Sequence, residues 1–308
     1  TDDLPGVTRD RKEAFGNLGP LNFVVIDTAG LENKITDDSL NKRMVEQTEL
    51  AIGDADCCLF VVDGKSGIEN DDLHFANWLR KSGKPTILIA NKCENYEKKI
   101  LQEHNYNIPI KILYHPADFN CKLFNYNLFN KNQEKKLVQI GFWMRKGTTI
   151  YNVQSKKFKK YWLPGGQYWK TMFSHIYSDF NNYLNDKSVI IKMYLSNQEY
   201  DNLLCKNIVL LDVFNSSANN TVLECIVRNT PLIVNNHPAI IEYLGENYPL
   251  YFNSIDDLNN IINDNNLNSK IKEAHLYLVS MNKEKFTIKY LYKIISILFY
   301  INGSNTYR

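Results

Sequence analysis

Between residues 21 and 92 the chain alternates short, unbroken apolar runs with segments of helical periodicity. The runs LNFVVID (21–27), CCLFVVDG (57–64) and PTILIANK (85–92) are continuous rather than alternating, which predicts strands covered on both faces. Between them, Met44, Thr48, Ala51 and Ile52 fall near one face of a helix over 40–52, and residues 73–79 belong to a second helix. Buried strand and helix in alternation predict a parallel sheet with helices on both sides.

A polar stretch without a period over residues 95–107 predicts a domain boundary, dividing the chain into residues 1–94 and 108–308. Beyond it, IPIKILYHP (108–116), KLVQIGFWMRK (136–146), VIIKMYL (189–195) and IVLLDV (208–213) are expected strands, the second running into a loop. The run NNTVLECIVRNTPLIVNN (219–236) reads as helix, turn and strand, and the ending is mostly helical. The expected fold class is α/β, with two partial, three-layer, parallel-sheet domains of Rossmann-like type and a helical C-terminus.

Composition adjusts this picture only slightly. Hydrophobic residues at 44% and charged residues at 23% are those of a folded chain. The net charge of +2 hides an acidic first part, with 11 Lys+Arg against 17 Asp+Glu through residue 94, and a basic remainder. Its lysines are scattered rather than gathered in a stripe, so they read as a solvated surface and not as a DNA-binding face. Six cysteines form no CxxC pair and lie near no His at ligand spacing, which argues against zinc and for reduced thiols in a cytoplasmic setting. The opening Thr1-Asp2-Asp3 does not read as a signal peptide. The apolar run 286–301 is interrupted by Lys289 and Lys293, so it is expected to be an amphipathic helix rather than a transmembrane segment.

Chemistry enters with the polar clusters PGVTRDR (5–11), DTAGL (27–31) and NKCE (91–94). In an open parallel sheet, loops after the carboxyl ends of strands form the ligand crevice. Asp27 can hold a magnesium ion through water, with the Thr8 hydroxyl as a further ligand, and Gly30 can offer its amide to a terminal phosphate. Asn91, Lys92 and Glu94 follow a separate strand, where a carboxylate can accept two hydrogen bonds from a guanine edge. Taken singly, each cluster is also what an ordinary turn looks like. Their order and spacing carry the reading.

The runs PGVTRDRKEAFG, VVIDTAGLE, RMVEQTELAIGDADCCLFVVDGKSGI and KPTILIANKCE together resemble the first GTPase domain of the Der (EngA) family, GTPases of ribosome assembly. The resemblance covers residues 1–94. It implies a P-loop GTPase fold, GTP or GDP with Mg2+, and the ribosome as a partner. By it, Thr8 is the switch-one threonine, Asp27 and Gly30 are the switch-two pair, and Asn91, Lys92 and Glu94 read guanine. The family pattern has Asp at the place of Glu94. The chain contains no Gly-x-x-x-x-Gly-Lys-Ser or Gly-x-x-x-x-Gly-Lys-Thr loop, the element that grips the β and γ phosphates, since Gly64-Lys65-Ser66 lacks the leading glycine. This segment is therefore expected to be a truncated GTPase domain that does not turn over GTP, with two facing strand edges left unpaired.

In the second part, SSANNTVLECIVRNTPLIV places a helix start near Asn220 or Thr221 and Glu224 in its first turn. A helix amino terminus favours an anion, and a carboxylate slightly deeper can bind the two hydroxyls of a ribose. The competing reading is a capping box, Thr221-x-x-Glu224, in which the carboxylate only returns to the backbone. The stretch from Leu210 to Phe252, together with VQIGFWMRK, resembles the nucleotide-sugar-binding domain of GT-B glycosyltransferases over about residues 108–301. By that resemblance Glu224 holds the donor ribose, Arg145 and Lys146 offset the diphosphate charge, and Ser217, Asn220 and Thr221 supply groups near the phosphates or sugar. Ser216 stands where the family commonly has a second Glu. For Arg145 the alternative is a surface loop charge, and for His115 and His237, each before a Pro, a rigid turn. The expected function is a chimeric nucleotide-binding protein in which a Der-type segment is joined to a transferase-like domain using a nucleotide-sugar. The alternative is an inactive fusion or misjoined product.

Overall fold

The structure, a computed structural model, describes residues 12–18, 21–28, 38–64, 69–91, 112–166, 168–215 and 219–304. The chain divides into two compact units. One comprises Thr1–Tyr114 with Ile288–Arg308, the other His115–Thr287. The second therefore stops short of the C-terminus, and the last helix groups with the first unit.

The first unit holds β1 (Lys12–Leu18), β2 (Leu21–Asp27), α1 (Asp38–Asp54), β3 (Cys58–Asp63), α2 (Asn70–Ser82), β4 (Thr86–Asn91) and, from the end of the chain, α12 (Ile288–Ser304). The three apolar runs form strands as expected, and β3 and β4 pair in parallel from Cys58 against Thr86 to Asp63 against Asn91. β2, however, pairs antiparallel with β1, and the two pairs form separate two-stranded sheets. The expectation that these strands are covered on both faces is corrected. Phe15 is 92% exposed, Leu59 56%, Val61 55% and Leu88 63%, and the described buried residues of this unit are only Thr48, Ala51 and Ile294. A two-stranded sheet has too few neighbours to exclude water from either face, whatever its sequence. Thr48 and Ala51 do share the buried side of α1, while the side chain of Met44 lies outside those described.

This difference in burial makes an expected result. Amides of β1–β4 exchange with solvent at least about tenfold faster than those of the buried sheet of the second unit, because local opening there exposes little new apolar surface. Native-state hydrogen exchange checks it, and equal protection in the two units would refute it.

The second unit is built on a parallel sheet. Its elements are α3 (Tyr126–Lys131), β5 (Lys136–Ile140), α4 (Thr149–Asn152), β6 (Lys159–Leu163), α5 (Trp169–Ile176), α6 (Phe180–Asn185) and β7 (Val189–Ile191). There follow α7 (Asn197–Leu204), β8 (Ile208–Leu211), α8 (Asn220–Arg228), β9 (Leu232–Asn235), α9 (Pro238–Leu244), β10 (Tyr251–Phe252), α10 (Ile255–Asn263) and α11 (Leu267–Ser280). The strand order is β10-β9-β8-β5-β6-β7, every pair parallel. One expected strand is not seen among the described residues. Residues 112–116, the described part of IPIKILYHP, take no regular structure, and Leu113 is 43% exposed. Prolines at 109 and 116 bracket that run and remove ladder donors.

The chain winds outward through β6 and β7, then returns to the other side of β5 with β8. The direction of winding reverses between β5 and β8, and in such sheets ligands bind at that reversal, outside the strands' carboxyl ends. Leu137, Val138 and all of β8 and β9 up to Val234 are buried, so this part of the sheet is a rigid platform. Among the described residues, no helix is long and apolar enough to cross a membrane.

Candidate functional site

The loop leaving β5 is held from below. Gln139 is a buried polar residue in a central strand, and its side-chain amide is used at both ends. Its Nε2 donates to the Gly147 carbonyl at 3.0 Å, and its Oε1 accepts from the Ile150 amide at 3.1 Å. Trp162 on the next strand donates its indole N–H to the Gly141 carbonyl at 3.1 Å. Gly141 has φ of +78°, and a Cβ there would meet Arg145 Nη1 at 1.6 Å, so only glycine allows the loop to fold back with the guanidinium against it.

The loop leaving β8 is held just as firmly. Asn235 on β9 uses its side-chain amide to accept from the Val213 N–H at 2.9 Å and to donate to the Val213 carbonyl at 2.8 Å. Arg145 and Val213 then form a bridge, and Phe214 N–H donates to the Met144 carbonyl at 3.2 Å. The two loops at the reversal point are thus tied to each other and to the sheet.

Arg145 is consequently not a surface charge. Its Nη2 donates to Asn219 Oδ1 at 3.2 Å and Thr221 Oγ1 at 3.1 Å, both neutral, and it makes no ion pair among the described residues. Its buried Nε has no hydrogen-bond partner there either. Burial pulls its pKa below the ordinary arginine range, partly offset by Tyr200 and Glu224. Asn219 caps α8 by accepting from the Val222 N–H at 3.2 Å. The guanidinium therefore sits at the positive end of a helix dipole, an electrostatically unfavourable place for a cation without an anion beside it.

Glu224 does not close a capping box. Asn219 and not Thr221 is the cap, and Glu224 lies beyond the position that could reach back to it. Its Oε2 instead accepts from the Tyr200 hydroxyl of α7. Lys146 is half-exposed and pairs at 3.3 Å with Asp212, a buried carboxylate that also accepts from Thr149 Oγ1 at 2.8 Å. Asn220 is exposed at the first position of α8, and Thr221 is buried. His237 caps α9 by accepting from the Ala239 N–H at 3.2 Å, and His115 turns onto the Pro116 carbonyl at 2.8 Å.

The structure thus gathers Arg145, Lys146, Asn220, Thr221 and Glu224 at the reversal point, while Ser217 lies outside the described residues. In the first unit Asp27 ends β2 and Asn91 ends β4, on separate sheets. Thr8, Gly30, Lys92 and Glu94 lie outside the described residues. Among the described residues no cluster of His, Cys, Asp and Glu could hold a metal ion, and the five described cysteines are free thiols. Gln139, Asn235 and Tyr200 escaped the sequence reading, since each is a lone polar residue whose partners, 8 to 24 residues away, lie on another element or loop.

A further cavity of about 400 Å³ opens at the other end of the strands, lined by Lys159, Lys160 and Lys187 with two serines. Its lysines are largely engaged. Lys159 pairs with Glu134 at 2.5 Å, and Lys160 donates to the Tyr151 and Val153 carbonyls.

The fold of this chain is similar to that of solved proteins that include a glycosyltransferase. HepE of Anabaena, solved with UDP, matches over 85% of this chain and 84% of its own at a TM-score of 0.60 and 12% identity. A glycosyltransferase of Rickettsia africae matches over 86% and 74% at a TM-score of 0.51 and 17% identity. At that identity the likeness is one of fold. Sequence similarity lies elsewhere, because residues 1–92 match the family described as 50S ribosome-binding GTPase. The GTPase Der of Azorhizobium caulinodans is 57% identical over 93 residues, which are 30% of this chain and 20% of that protein. This chain spans about a fifth of the length of the Der proteins it matches. It joins a Der-like GTPase segment to a glycosyltransferase-like fold.

Proposed function

We propose that the second unit binds a nucleotide-sugar and supports glycosyl transfer by stabilising the departing nucleoside diphosphate. The observation that carries this reading is the part-buried Arg145 at the amino end of α8, which bonds only neutral side chains and makes no ion pair among the described residues. A diphosphate there would gain the guanidinium fork and the free amides of the helix together. As the bond from the anomeric carbon to the phosphate oxygen lengthens, charge grows on the diphosphate, and a cation already in place needs no reorganisation to meet it. Glu224, deeper along α8, would take the ribose hydroxyls. Lys146, beside Asp212, would add positive charge at the rim. The solved fold neighbour holding UDP makes a uridine diphosphate sugar the first donor to test.

For the first unit, GTP or GDP binding and ribosome association are the corresponding proposals, supported by the match of residues 1–92. Magnesium at that unit would depend on Thr8 and Asp27. Among the described residues no group of His, Cys, Asp and Glu that could hold a metal includes Asp27. A cytoplasmic setting suits both ligands.

Titrating the whole chain with UDP-glucose, UDP, GTP and GDP is the test. Saturable binding of the uridine nucleotides is expected, weakened about 10–100-fold by Glu224→Ala through loss of the charge-assisted ribose bonds. Tight GTP binding without any uridine nucleotide binding would overturn the reading. Silence from all four would leave an inactive fusion.

A further inference from the structure

We propose that Tyr200 is the positioning residue that makes Glu224 selective for a ribose bearing both hydroxyls. This rests on the nucleotide reading above and adds a residue to it. The phenol reaches from α7 to α8 and donates to Glu224 Oε2, which leaves the remaining acceptor sites of the carboxylate for a ligand.

Tyr200 is itself immobilised from two sides. Its ring packs on the core cluster of Val138, Tyr161, Leu163 and Leu203. Across the ring, the Arg228 guanidinium stands 5.6 Å from its centroid, and Arg228 is tied to Asp201 at 2.9 and 3.2 Å. The hydroxyl is therefore held in place, and its bond to Oε2 disfavours rotation of the carboxylate. A phenylalanine would fill the same apolar pocket without burying a hydroxyl, so the hydroxyl serves the carboxylate and not the packing.

The consequence is specificity. A carboxylate free to turn can follow one hydroxyl as readily as two. One held at a single oxygen presents a fixed edge to a pair of adjacent hydroxyls, and a ligand lacking either leaves a polar group unpaired.

Calorimetric titration of the whole chain and of Tyr200→Phe with UDP, 2′-deoxy-UDP and 3′-deoxy-UDP tests this. The parent chain should prefer UDP over each deoxy form by about tenfold or more. Tyr200→Phe should lose about tenfold for UDP alone, so that the preference collapses while both deoxy affinities stay within about twofold. In the Tyr200→Phe, Glu224→Gln double variant, no further loss beyond Glu224→Gln is expected, because the two act as one unit. An equal loss for all three ligands would make Tyr200 merely structural and overturn the inference. A preference that survives in Tyr200→Phe would overturn it as well, with nucleotide binding intact. Absence of UDP binding by the parent chain would remove the nucleotide reading and this inference together.

Discussion

Replacing Arg145 with Met weakens nucleoside diphosphate binding by about 100-fold while leaving the unliganded protein as stable as before, or about 1 kcal/mol more stable. The binding loss follows from two charge-assisted hydrogen bonds to phosphate, each contributing about 1.5–3 kcal/mol. The stability gain follows from what Arg145 touches in the empty site. Its partners are the neutral Asn219 and Thr221, its Nε is unpaired among the described residues, and it faces the positive end of α8. Methionine has similar reach and needs no counter-charge. Asn219 keeps its bond from Val222, so the helix cap survives. Arg145→Lys retains the charge and loses the fork, and should fall between, at about tenfold. Titration calorimetry paired with urea unfolding reads both quantities on each variant. A marked loss of stability in Arg145→Met would mean that the guanidinium is a structural pillar and not an anion-binding group.

The second large effect lies in the core. Trp162→Ala costs about 3–5 kcal/mol of unfolding free energy, a large part of the about 5–15 kcal/mol that a domain commands. Trp162 is fully buried, and its ring meets Trp169 at 5.1 Å, Phe173 at 5.2 Å and Tyr151 at 6.1 Å between centroids. Deleting it opens a cavity that the three packed aromatics around it, fixed on two helices, cannot close. Its N–H also supports the Gly141 carbonyl, so the Arg145 loop loosens with it. The melting temperature should drop by about 10 °C or more for a unit of this size. Trp162→Phe separates the two roles, since it keeps an aromatic ring and loses the N–H. A smaller fall in stability with a comparable loss of nucleotide affinity is expected. Thermal unfolding followed by tryptophan fluorescence checks the pair, and a loss under about 1 kcal/mol for Trp162→Ala would contradict the packing account.

Much of the second unit was legible from pattern alone. The runs 136–140, 208–211 and 232–235 are strands, and 220–228 is the helix between the last two, because continuous apolar runs and a 3.6-residue period are local properties. β1 was missed. Its residues KEAFGNL look like a polar cluster, yet they pair with β2 from Lys12 against Asp27 to Leu18 against Leu21, and the run of charges before them hid the strand. Residues 112–116 erred the other way, their apolar content outweighing the proline that closes the run. At the site, residue types pointed to Arg145 and Glu224, but the choice between function and bland alternatives needed partners. Glu224 could have been a cap and Arg145 a loop charge. Contacts to Tyr200, Asn219 and Thr221, at 24 to 76 residues' separation, decided both.

By itself, the order of residues determined which segments become strand or helix, which GTPase family the first 92 positions are similar to, and which side chains could handle a nucleotide. Those are consequences of period, composition and motif, all readable over a few neighbours. Only the tertiary structure decided that the apolar strands of the first unit stay uncovered, that the winding reverses between β5 and β8, and that a part-buried guanidinium there bonds neutral side chains and makes no ion pair among the described residues. Burial and unpaired charge depend on what other elements bring alongside, and no local pattern records that.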